Sequence, residues 1–93
     1  IPRRSSKPFE LQADCLAGTW ANHAERRGIM EEGDAEEGMR GAFASGDYQT
    51  DHPDHHGTPE ERTQWFLTGY RSGRPGDCTP AATSSLMNDV PTA

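Results

Sequence analysis

The chain has 93 residues, of which 31% are hydrophobic, and a formal net charge of −6. Its mean hydropathy is −0.94. That is one small domain with a thin core, and no apolar run long enough to cross a bilayer. Glu31, Glu32, Asp34, Glu36 and Glu37 crowd into one stretch, a field that repels a phosphate backbone and argues against nucleic-acid binding.

Residues 1–7 are basic and serine-rich and read as a flexible lead-in. Pro8 opens the first predicted helix, since proline suits a first helical turn. Phe9, Ala13, Leu16, Ala17, Trp20, Ala21 and Ala24 recur at three- and four-residue steps, which predicts an apolar stripe facing the core. Gly28 ends this helix after Arg26 and Arg27, whose charges suit a helix C-terminus.

A second helix is predicted from Asp34, with Glu37 completing a capping box. Its apolar face would be Ala35, Met39, Ala42 and Phe43, ending at Gly46. Gly38 and Gly41 each lower its intrinsic propensity by about 1 kcal/mol. The segment from Asp47 to Gly57, rich in His, Asp and Pro, reads as a loop.

The third helix has the clearest start: Thr58 as cap, Pro59 in the first position, Glu61 closing a second capping box. Trp65, Phe66, Gly69 and Tyr70 form its expected buried stripe, and Gly73 ends it. The aromatic residues Trp20, Trp65, Phe66 and Tyr70 are expected to build the core. Glu60, Glu61 and Arg62 read most simply as a solvated helix face. Residues 79–93 are expected to be a flexible tail.

Cys15 and Cys78 lack the spacing of a C-x-x-C motif. Joined, they close a loop of about 64 residues, worth ~4 kcal/mol on the chain-entropy model; unjoined, they are two separate buried thiols. The fold expectation is all-α: a small three-helix domain over residues 8–78 with one disulfide and flexible termini. The chain starts at Ile1 without an initiator Met, the expectation being a processed or truncated product.

Glu10 and Asp14 lie four residues apart, so on a helix both carboxylates leave from one face. Spacing alone allows a solvated acidic pair near a helix N-terminus. Asp51, His52, Asp54, His55 and His56 could gather a metal ion adventitiously, although Pro53, Asp54 and Gly57 deny the His52/His56 pair a common helical face. His56 is expected to make local hydrogen bonds at the third helix's entry, and His23 to sit at the surface or core edge.

Three segments, Glu10–Ala21 (ELQADCLAGTWA), Gly33–Asp47 (GDAEEGMRGAFASGD) and His56–Cys78 (HGTPEERTQWFLTGYRSGRPGDC), cover about three quarters of the chain. In these the sequence resembles the C-terminal half of the neutral zinc metallopeptidase family, bacterial zincin-like proteins usually held by one N-terminal membrane helix. The resemblance implies an upstream His-Glu-x-x-His helix that supplies two zinc-binding histidines and a glutamate to activate water. It also implies that Glu10 is the third zinc ligand and that Asp14 holds a ligand histidine by its far ring nitrogen. No His-Glu-x-x-His occurs in the 93 residues. The expected function is therefore a fragment or truncated relative of a secreted zinc metallopeptidase, inactive alone, with no catalytic residue of its own. Zinc would bind only if a complementary His-Glu-x-x-His segment is present. Its expected partner is that segment, or a second copy meeting it through an orphaned apolar face. The alternative is a non-catalytic secreted interaction module, a scaffold or protease-binding protein on a peptidase-derived helical body. Either setting is extracytoplasmic.

Overall fold

The computed structural model describes residues 6–79; residues 1–5 of the expected lead-in, and the tail but for Thr79, lie outside the described residues, while Ser6 caps the first helix and Lys7 begins it. Among the described residues there are three helices, α1 (Lys7–Arg26), α2 (Asp34–Ala44) and α3 (Pro59–Ser72), followed by a 3-10 turn, Pro75–Asp77. Among the described residues there is no strand, and no helix is long and apolar enough to cross a membrane.

Helix α3 begins as its sequence dictates. The Thr58 hydroxyl accepts from the Glu61 backbone N–H at 3.1 Å, and the Glu61 carboxylate accepts from the Thr58 N–H at 2.9 Å. Both helix α1 and helix α3 are followed by glycine in the left-handed region, Gly28 at φ 72° and Gly73 at φ 66°. Around Gly28 the Ile29 N–H reaches Ala24 O and the Gly28 N–H reaches Glu25 O, the paired bonds of a Schellman stop. Helix α2 starts differently from expectation. Its cap is Gly33 at φ 93°, and no side chain caps it. Asp34 is already helical, and its carboxylate turns back to accept the Glu31 N–H at 2.8 Å. Because Asp34 is itself the first helical residue, the cap position falls to Gly33.

The main contact is α1 against α3, with glycine at the crossing on each side. A Cβ on Gly18 would stand 2.0 Å from Phe66 O, and one on Gly69 would stand 1.8 Å from Cys15 O. The two backbones therefore touch directly. Asn22 Nδ2 donates to Tyr70 O at 2.7 Å along this seam, and Gln12 Nε2 donates to Cys78 O at 2.7 Å, tying α1 to the segment that follows the 3-10 turn. Ala21, Ala42 and Phe66 form the shared core with Met30, Met39 and Tyr70 packed around them. Leu11, Cys15 and Cys78 are fully buried. Cys15 and Cys78 are disulfide-bonded, with Cα atoms 5.5 Å apart.

The buried face of α1 coincides with the predicted stripe only at Ala21 and Ala24. It consists of Leu11, Asp14, Cys15, Gly18, Thr19, Ala21 and Ala24. Phe9 and Trp20 are each 63% exposed and Leu16 42% exposed, and Ala13 and Ala17 also face outward. Trp20 therefore contributes nothing to this core. The cause is the close crossing, which selects small residues for the α3-facing side and leaves the bulky apolar ones outside. Phe43 of α2 is likewise exposed.

Candidate metal-ligand site and its buried arginine

At roughly 100° per residue, Phe9, Ala13, Leu16, Ala17 and Trp20 fall within an arc of about 100° on α1. Most of the buried residues occupy the opposite side, but Ala24, in the last turns of the helix, is buried within this same arc. Glu10 lies between the two arcs, next to Ala17 on one flank and Ala21 on the other, with Asp14 one turn further toward the core. Helix α1 is thus apolar on two sides, the pattern of a helix meant to be covered on both.

Both carboxylates point at Arg62, a residue expected to be solvated but in fact only 6% exposed. Arg62 Nε donates to Asp14 Oδ2, and Nη2 donates to Asp14 Oδ1 at 3.2 Å, a two-pronged grip. Nη2 also lies 3.4 Å from Glu10 Oε2. Nη1 donates to Ser45 O at 3.3 Å and to His56 O at 3.4 Å. Burial holds the Asp14 carboxyl above its usual range, against the opposing hydrogen bond and charge of Arg62; the nearby Glu10 charge adds to the upward push. Nothing in a single sequence distinguishes Arg62 from the flanking surface charges, although its position one turn after the capping box places it on the α1-facing side with Phe66 and Gly69.

The histidine loop is divided among separate tasks. His52 Nδ1 accepts from the Asp54 N–H at 3.0 Å. His55, only 6% exposed, donates from Nδ1 to Asp47 Oδ1 at 2.6 Å. Its other ring nitrogen has no hydrogen-bond partner among the described residues and stands 4.0 Å from Glu61 Oε1. His56 pairs through Nδ1 with the Ser6 hydroxyl at 3.3 Å, in line with a local role at the helix entry. His23 is exposed and its Nε2 lies 2.8 Å from Gly73 O. Asp47 anchors the loop: the His55 bond first, then the His56 backbone N–H, lower its pKa to about 2.

Among the described residues no group of three or more His, Cys, Asp or Glu side chains could hold a metal ion. The zinc that the acidic pair suggests is therefore not matched by the donors present, since a zinc site takes at least three protein ligands. Glu10 offers one. No chemical step through a metal follows from these residues alone.

A disulfide-linked helical body carries an acidic pair, gripped by a buried arginine, beside apolar side chains that are exposed among the described residues. The chain belongs to the family described as Putative neutral zinc metallopeptidase, whose model matches residues 3–80. It is similar to the uncharacterized protein YpfJ of Escherichia coli strain K12, 40% identical over 84 residues, covering 81% of this chain and 29% of that protein. It is also similar to the uncharacterized protein Rv2575 of Mycobacterium tuberculosis strain H37Rv, 33% identical over 96 residues, covering 83% of this chain and 33% of that protein. The chain thus spans about a third of the length of these relatives. No solved structure matches it.

Proposed function

We propose that this chain supplies the third zinc ligand, Glu10, and its supporting carboxylate, Asp14, to a metallopeptidase site completed by a His-Glu-x-x-His segment from outside these 93 residues. Alone it is inactive, because it brings neither the two histidines nor the water-activating glutamate. The observation that carries this reading is the place of Glu10 on α1, at the edge of the exposed Phe9–Leu16–Trp20 face. Whatever covers that face arrives beside Glu10. Burying what remains exposed of those three side chains is worth roughly 1–2 kcal/mol each, which favours packing of a second helix there. The resemblance to the zinc metallopeptidase family supports a His-Glu-x-x-His helix as that second helix. The buried disulfide supports an extracytoplasmic setting, where such bonds persist.

A stand-alone interaction module is less consistent with a helix left apolar on its outer side. Pairing of two copies through that face is the competing outcome.

The test is hydrolysis of a protein substrate by the chain mixed with a His-Glu-x-x-His segment taken from one of the longer relatives, with zinc. The chain alone should show none, the mixture should, and Glu10→Gln should abolish it. Activity of the purified chain unaided, or full activity of the Glu10→Gln mixture, would remove the assignment.

A further inference from the structure

Glu10 is half-exposed and near the start of its helix, where a long side chain ordinarily samples several rotamers. A metal ligand that must first be ordered binds more weakly than one already held in place. The groups around Glu10 address that problem in a way neither the sequence motif nor the family match specifies. Asp14 uses both oxygens on the Arg62 fork, so the pair is internally neutral and fixed. Arg62 is further tied to the backbone carbonyls of Ser45, past the end of α2, and of His56, before α3. Its head group is held by three parts of the chain besides its own helix. From that fixed position Nη2 stands 3.4 Å from Glu10 Oε2, an ion pair. A ligand glutamate can bind zinc through one oxygen.

We propose that Arg62 is the positioning residue for Glu10: anchored by Asp14, Ser45 O and His56 O, it holds one oxygen of the Glu10 carboxylate and so sets the direction in which the ligand is presented. Asp14 then serves Glu10 through Arg62 as well as through any contact to a ligand histidine. The net charge of the trio is −1, carried at the edge of the uncovered face, where an arriving cation meets it. The functional value of this arrangement rests on Glu10 being the zinc ligand; the positioning itself does not. Lysine cannot substitute, because its single charge centre cannot grip Asp14 with two prongs and reach Glu10 together.

The experiment reads Glu10 directly, by Hα–Hβ couplings in solution NMR of the metal-free chain. Wild type should show one dominant Glu10 rotamer. Arg62→Lys should show partial averaging. Arg62→Met leaves Asp14 buried without its partner and can unfold the chain, so the decisive variant is Asp14→Leu with Arg62→Met, which exchanges the buried pair for apolar groups. With backbone amide shifts of the native pattern, that double variant should show Glu10 spread over its rotamers. A single retained rotamer in the folded double variant overturns the inference, whatever zinc does. In the mixture with the His-Glu-x-x-His segment, the double variant should bind zinc about 10–100-fold more weakly than wild type. If Glu10 is averaged as expected but the wild-type mixture binds no zinc, the metallopeptidase reading fails and the positioning contact stands.

Discussion

Alanine at Gly69 tests the closeness of the α1–α3 crossing. The added Cβ would lie 1.8 Å from Cys15 O and 2.8 Å from both Cys15 C and Thr19 N, where ordinary contact begins near 3.4 Å. All of these atoms are backbone, so no side chain can rotate out of the way. The helices must separate by roughly 1.5 Å, loosening the packing of Leu11, Cys15 and Phe66 along the seam; overpacking of this kind costs about 3 kcal/mol or more. A domain of this size has on the order of 5–10 kcal/mol to lose. Urea unfolding followed by far-ultraviolet circular dichroism, disulfide intact, should show the midpoint falling by about 3 M, or no native baseline at all. Gly41 is the matched control: it lies inside α2, exposed, with nothing within 4 Å of its added Cβ. There the same substitution should raise stability by about 0.5–1 kcal/mol through helix propensity. A Gly69→Ala midpoint at or above wild type would refute the close crossing.

Trp20→Glu should change the stability of the chain by no more than about 0.5 kcal/mol, because the side chain is 63% exposed, yet should prevent docking of the His-Glu-x-x-His segment. In wild type that docking should shift Trp20 fluorescence to the blue; no shift on formation of an active mixture would show that another face is used. Replacing both Cys15 and Cys78 by alanine should cost ~4 kcal/mol in a denaturant titration. Loss of less than 1 kcal/mol would mean the closed loop contributes little. Asp47 has its pKa lowered to about 2, chiefly by the His55 hydrogen bond, so its contribution to stability is present above its unfolded value near 4 and lost as the pH falls toward 2. Asp47→Asn should flatten that part of the acid-unfolding curve, and an unchanged acid limb would contradict the contact.

Local signals were legible in the sequence wherever the chemistry is local. Thr58, Pro59 and Glu61 define the α3 start within four residues, and Gly28 and Gly73 mark helix ends because each needs a left-handed backbone. The three helices follow from such cues, whereas the pairing of Cys15 with Cys78, 63 residues apart, rests on no local signal. The buried side of α1 does not, because apolar periodicity locates bulky residues, and the α3-facing side is chosen instead by the smallness of Gly18 and Ala21. The stripe through Phe9, Leu16 and Trp20 is a real helical face, but one uncovered among the described residues. Arg62 was hidden for a related reason. A charged side chain beside Glu60 and Glu61 reads as solvated until the crossing places it over Asp14, a long-range meeting with no local signature. Asp34 shows the same limit at short range: its pattern suits a cap, while the helix already includes it and the cap position falls to Gly33.

The most direct measurement of the central claim is calorimetric titration of zinc into the chain paired with a His-Glu-x-x-His segment, beside the same pair carrying Glu10→Gln. Tight one-to-one binding in the first, sharply weakened in the second and missing from either component alone, is the predicted result. Equal zinc affinity with and without the Glu10 carboxylate would contradict it.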